Sequence, residues 1–202
     1  MSLNIGVFAV QGDVEENLVA TRTALDELGI KGTVSTVKTP DQISKLDGII
    51  LPGGESTTIG QLSLVNGSLK QIKEKIEAGM PAMGICAGLI LLSKEAKDRV
   101  VGKTEQPPLL ELLDVKVERN SFGRQRDSFE ADISMEPIKI PKFKGVFIRS
   151  PSILEVGKNV EVISKLNEKT IAVKQKNILA TVFHPELTSD VSMHKYFINM
   201  IK

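Results

Sequence analysis

The chain has no tryptophan, one tyrosine and one cysteine, and aromatic residues fill 4% of its 202 positions. So few rings argue against a base-stacking surface for nucleic acid. The formal net charge of +1 supplies no field to gather nucleic acid or anionic membrane. A single cysteine excludes an internal disulfide. With only two histidines beside it, a four-ligand Cys/His zinc site cannot be assembled; no metal and no cofactor is expected. No apolar run approaches the ~20 residues of a membrane span. Met1 to Asn4 runs straight into strand-like sequence with no basic leader, so a cytoplasmic location is expected. Hydrophobic residues at 41% and charged residues at 25% describe an ordinary globular composition. The length suits one domain, residues 1–202, able to bury its own core.

What is present is a strand–helix alternation. Residues 5–10 are continuously apolar, as in a strand buried on both faces. Residues 13–28 carry a helical period closed by Gly29. Strands are predicted at 33–37, Gly48–Leu51 and 83–85, with helices at 57–65 and 68–78 and a further helix after Cys86. This pattern predicts a parallel sheet covered on both faces. The second half holds short strand candidates at 115–118, 129–133, 145–148, 160–164, 171–174 and 179–183, some of them antiparallel, and a closing helix at 188–201. The polar stretch 97–108 is expected to be a surface excursion.

Three motifs fall at predicted strand ends. Cys86 lies in Gly84-Ile85-Cys86-Ala87-Gly88, between an apolar strand and an apolar helix. A thiol there points off the sheet onto a helix N-terminus, which favours a nucleophilic thiolate; a buried, inert cysteine is the competing description. His184 ends a predicted strand and is followed by Pro185 and Glu186. In extended chain, positions i and i+2 face one way, so Glu186 can orient the imidazole as the third member of a triad; a capped helix start is the plainer alternative. His194 lies amid apolar residues of the last helix, where a surface or packing role is expected. Pro52-Gly53-Gly54-Glu55-Ser56-Thr57 joins a strand to a helix. It lacks the P-loop lysine and spacing. An oxyanion hole from the Gly53-Gly54 turn and the Ala87 amide fits better, and a mere tight turn remains open.

These motifs resemble those of the class I glutamine amidotransferase family, whose triad is Cys, His and Glu. The resemblance narrows to the glutaminase subunits of pyridoxal 5′-phosphate synthase through Val10-Gln11-Gly12, Leu51 to Thr58, Glu118 to Gln125 with Asp127 to Asp132, Gly145 to Arg149 with Pro151, and Phe183 to Thr188. It implies a three-layer, flavodoxin-like α/β fold with a largely parallel central sheet and added antiparallel strands. It implies that Cys86 attacks the side-chain amide of L-glutamine, that His184 shuttles protons and that Glu186 holds His184. Gly54, Glu55, Ser56, Arg119, Ile148 and Arg149 would line the glutamine site, and the Gln11-Gly12 loop would face the partner. That partner is a separate synthase subunit, which uses the ammonia to build pyridoxal 5′-phosphate. A lone subunit with a glycine-built oxyanion loop is expected to be poorly active until the partner sets the loop. Asn17 and Glu111 depart from the family, standing where histidine and glycine are usual. Two other readings remain: a glutaminase for another acceptor, such as imidazole glycerol phosphate synthesis, and a cysteine hydrolase or chaperone of related fold.

Overall fold

A computed structural model describes residues 2–98, 106–119 and 128–201. Among these, the first half alternates as β1 (Leu3–Phe8), α1 (Val14–Leu28), β2 (Gly32–Val37), α2 (Pro40–Ser44), β3 (Gly48–Leu51), α3 (Ser56–Val65), α4 (Ser68–Glu77), β4 (Ala82–Ile85) and α5 (Ala87–Leu92). The remainder runs β5 (Ser93–Asp98), β6 (Leu113–Arg119), β7 (Phe129–Met135), β8 (Ile140–Phe147), β9 (Ser152–Val156), β10 (Glu161–Leu166), β11 (Lys169–Gln175), β12 (Ile178–Thr181) and α6 (Ser192–Ile201).

The main sheet has seven strands in the order β10-β11-β12-β4-β3-β1-β2. From β12 to β2 every neighbouring pair is parallel, and β10 and β11 extend it antiparallel. The parallel strands are in the flavodoxin-like order. Their apolar runs follow from burial on both faces: every residue of β3, β4 and β12 is buried. The step from β1 to β2 and the step from β2 back to β3 go in opposite directions. Right-handed crossovers therefore put their helices on opposite faces. One layer pairs α1 with α6, and the other packs α2 and α3 on α4 and α3 on α5. Two smaller sheets, β5-β6-β9 and β7-β8, are added beside them.

Several boundaries differ from the sequence expectation. The first strand stops at Phe8, and Val10 enters the loop. Residues 97 and 98 belong to β5 rather than to an excursion; residues 99–105 and 120–127 lie outside the described residues. The last helix starts at Ser192, whose N–H donates to the Asp190 carboxylate at 2.9 Å. Glu111 is held at φ 60°, the left-handed region that glycine enters at no steric cost. No helix among the described residues is long and apolar enough to cross a membrane.

His194 is not a surface residue. It is fully buried between α1 and α6. Its Nε2–H donates to Asn17 Oδ1 at 3.5 Å, and Asn17 Nδ2–H donates to the Asp13 carbonyl at 2.8 Å. Burial pushes the His194 pKa down from 6.5 to about 4. The unfolded chain takes up a proton that the folded chain refuses. This contribution to stability is therefore full above pH 6.5 and is lost as pH falls toward about 4. Urea midpoints measured from pH 7 to 4 are expected to fall less steeply in His194→Gln than in the parent; parallel slopes would refute the assignment.

Candidate active site

The functional side chains gather at the carboxyl ends of the parallel strands. The loop after β1 carries Gln11, Gly12 and Asp13; the loop after β3 carries Gly53, Gly54 and Glu55, and Ser56 opens α3. Cys86 follows β4, and His184 and Glu186 lie just past β12. The sheet reverses its direction of winding between β1 and β3, the place where open α/β sheets bind ligands. A cleft of about 280 Å³ opens there. Cys86, His184, Gln11 and Asp13 line it together with Gly54, Glu55, Ser56, Arg119, Ile148, Arg149 and Ile90.

Cys86 sits at φ 50°, ψ −98°, a backbone strain of ~1–3 kcal/mol for a residue with a side chain. The flanking glycines permit that turn. A Cβ at residue 88 would lie 2.0 Å from the Leu51 carbonyl oxygen, and one at residue 84 would lie 2.5 Å from Leu92 Cδ1. The Cys86 N–H donates to the Thr181 carbonyl at 2.9 Å, fixing the turn to β12. The helix that follows is short, six residues. Cys86 is 7% exposed, and that small opening is onto the cleft.

His184 is held by its backbone N–H, which donates to the Val146 carbonyl at 2.8 Å. Its Nδ1–H donates to Glu186 Oε1 at 2.8 Å. The extended-chain expectation is corrected here: β12 stops at Thr181, and the two side chains meet across a 3-10 turn, Pro185–Leu187. Burial opposes a proton on the His184 ring. The hydrogen bonds from Cys86 and Glu186, and the charges of both, outweigh it and push the pKa up from 6.5 to about 11. With Nδ1 engaged by Glu186, Nε2 is left for the sulfur. Asp13, His184 and Glu186 also bring three possible ligand atoms within 4.8 Å of one another. Two of the three, His184 and Glu186, are hydrogen-bonded to each other at 2.8 Å.

The glycine loop is locked to the loop after β1. Gly12 adopts φ 120°, and a Cβ on it would lie 1.9 Å from the Gly53 carbonyl oxygen. That carbonyl accepts the Asp13 N–H at 3.2 Å, and Gln11 Oε1 accepts the Glu55 N–H at 2.9 Å. Gln11, expected at a partner interface, also lines the cleft. Gly54 faces the cleft, while Gly53 and Ala87 are buried just behind its lining.

Arg119 reaches the cleft by strand alternation. Leu113, Val115, Val117 and Arg119 share the buried face of β6. The guanidinium donates to Thr57 Oγ1 at 2.9 Å and pairs with Glu55 at 3.4 Å and Asp98 at 3.5 Å. Glu55 is also the N-cap of α3, accepting the N–H groups of Thr57 and Thr58 at 3.0 and 2.7 Å and the Thr58 hydroxyl at 2.7 Å. Burial would raise its pKa, but these hydrogen bonds outweigh burial and hold the carboxyl below its ordinary value. Arg149 stands at φ 47° on the exposed rim. The motif residues beyond Arg119, through Gln125, lie outside the described residues, as does Arg126. Sequence reasoning missed Asp98 and Asp13. Neither belongs to a motif, and only contact with Arg119 and His184 reveals them.

The model of the SNO glutamine amidotransferase family matches residues 7–202. The chain is 58% identical over 202 residues to a pyridoxal 5′-phosphate synthase subunit PdxT from Nitrosopumilus maritimus, covering 100% of this chain and 98% of that one. It is 48% identical over 200 residues to the protein of the same name from Pyrococcus furiosus, covering 98% and 99%. A solved glutamine amidotransferase structure superposes with a TM-score of 0.83 at 41% identity, covering 98% of each chain. A Thermotoga maritima glutamine amidotransferase, at 12% identity and TM-score 0.62 over 96% of this chain and 80% of its own, shares the fold. The chain belongs to the SNO glutamine amidotransferase family.

Proposed function

We propose that the chain hydrolyses L-glutamine to L-glutamate and ammonia, and passes the ammonia to a separate synthase subunit that makes pyridoxal 5′-phosphate. The observation that carries this reading is that Cys86 and His184 line one cleft, with Glu186 buried behind the imidazole and hydrogen-bonded to its Nδ1 at 2.8 Å. Cys86 Sγ attacks the side-chain carboxamide carbon. The carbonyl oxygen becomes an oxyanion, and in this reading backbone amides of the Gly53-Gly54 turn and of Ala87 receive it. His184 delivers its Nε2 proton to the nitrogen, the C–N bond breaks and ammonia leaves. A glutamyl thioester remains on Cys86. His184, now neutral, takes a proton from water as water adds to the thioester carbon. The C–S bond breaks, glutamate departs and the proton returns to the Cys86–His184 pair. Glu186 keeps Nδ1 protonated throughout, so Nε2 is always the working nitrogen.

The glutamine main chain carries both charges. Arg149, on the rim, is the cation best placed for the carboxylate. Arg119 and Glu55 are tied to each other as well as to α3, so they hold the wall of the substrate site as a unit, with Gly54, Ser56 and Ile148 beside them. The unpaired, reduced cysteine this chemistry needs suits the cytoplasm.

The synthase reading rests on the PdxT relatives. In an ammonia-release assay, adding the cognate synthase subunit is expected to raise glutamine turnover by roughly tenfold or more, since an oxyanion loop set by a partner contributes on that scale or above. Equal turnover with and without that subunit would contradict the partnership, and no release under either condition would contradict the hydrolysis. Stimulation by an imidazole glycerol phosphate-forming subunit instead would favour the alternative acceptor.

A further inference from the structure

We propose that Asp13 is a second carboxylate acting on His184, a positioning residue that shares the imidazolium with Glu186; the inference rests on the glutaminase reading above. Asp13 occupies the N-cap of α1, where an aspartate ordinarily turns its side chain back to accept a helix N–H. Here it makes no such bond. Its Oδ2 lies instead 3.5 Å from His184 Nδ1, within ion-pair distance, and the residue lines the cleft. The backbone holds it in that pose from both sides: its N–H donates to the Gly53 carbonyl at 3.2 Å, and its carbonyl accepts from Asn17 Nδ2 at 2.8 Å. The space around the pair is equally specific. A Cβ on Gly53 would lie 2.5 Å from His184 Cε1 and 2.7 Å from Asp13 Oδ2, so the absent side chain at 53 makes room for the ring and the carboxylate together.

The two carboxylates differ in kind. Glu186 is buried, with no exposed side-chain surface, and takes the Nδ1 proton in a direct hydrogen bond. Asp13 has 44% of its side chain exposed and adds negative charge from the cleft side. The charged groups facing His184 are then Cys86 from the β4–α5 turn, Glu186 from the turn after β12 and Asp13 from the start of α1. Glu55, Arg119 and Arg149 line the same cleft. Asp13 stabilises the imidazolium that carries the proton destined for the departing amide nitrogen, and it does so from the Nδ1 side, away from the Nε2 face where the sulfur and the substrate meet.

The test uses Asp13→Asn and Asp13→Ser, both good N-cap residues that keep the helix start while removing the charge. In the complex with the synthase subunit, kcat for glutamine is expected to fall roughly threefold to tenfold with KM unchanged, the scale of a partly exposed charge pair near a reacting group. On the isolated full chain carrying ¹⁵N-histidine, which has only two imidazoles, the His184 ring is expected to lose its proton at lower pH in both variants. A capping role alone would move the unfolding midpoint and leave kcat and the ring titration untouched. An unchanged His184 titration in both variants overturns the proposal. Should the parent complex release no ammonia, the glutaminase reading fails, and the ring titration still decides whether Asp13 acts on His184.

Discussion

Cys86→Ala is expected to abolish ammonia release from glutamine, by on the order of 10⁶-fold, the scale seen when a hydrolase loses its nucleophile. The chain contains no other sulfhydryl to substitute. The fold should survive, because the removed sulfur is one atom at the edge of a cleft and the neighbouring turn is pinned by the Cys86 N–H bond to Thr181. The same position carries a stability signature. Alanine keeps the strained φ of 50°, whereas glycine relieves it, so Cys86→Gly should be more stable than Cys86→Ala by ~1 kcal/mol. Chemical denaturation of the two variants checks this. A thiol-bearing position kept under strain, and relaxed when the thiol is replaced by glycine, is the pattern of a site that sacrifices stability for the aim of its nucleophile.

Gly53→Ala is the second large expected effect. Gly53 needs its missing side chain for room, since the new methyl would meet His184 Cε1 at 2.5 Å and Nδ1 at 3.1 Å as well as the Asp13 carboxylate. Asp13 can swing into solvent. His184 cannot move freely, because its backbone is tied to Val146 and its ring to Glu186. The ring is therefore expected to shift off the Cys86 line, removing most of the ~10²–10⁴-fold that a placed acid–base group contributes. Overpacking should also cost ~1–3 kcal/mol of stability. Steady-state kinetics with thermal unfolding on the same preparation separates the two losses. A variant with the parent kcat would show that His184 does not need its present position.

The parts of the site legible in the sequence were those that end apolar strands. Leu51 before Gly53-Gly54, Ile85 before Cys86 and Phe183 before His184 each mark a chain emerging from a buried sheet, where side chains can meet although their positions in sequence are far apart. The parallel order of the main sheet was legible for the same reason, since a strand buried on both faces leaves a continuous apolar run. β5 was not legible. Its sequence, Ser-Lys-Glu-Ala-Lys-Asp, consists largely of good helix formers, and it becomes a strand by pairing with β6 and by the ion pairs of Lys94 with Asp114 and Glu95 with Lys116 across the ladder. β9 was missed likewise, being short and half polar. Glu186 was placed beside His184 for a reason that proved incomplete: the two meet through a 3-10 turn, which proline at the first position favours. Asp13 and Asp98 carried no signal, because an aspartate opening a helix and one closing a polar strand are ordinary in sequence and acquire meaning only from the histidine and arginine they touch.

The central claim is that glutamine is opened by the sulfur of Cys86 with His184 as its proton carrier. The most direct measurement is acid quenching of the complex during glutamine turnover, followed by peptide mass mapping. The prediction is a single glutamyl adduct on the peptide bearing Cys86, absent from Cys86→Ala, and released as glutamate when the parent is allowed to complete its cycle. Ammonia release that continues in Cys86→Ala, with no adduct on any peptide of the parent, would contradict it.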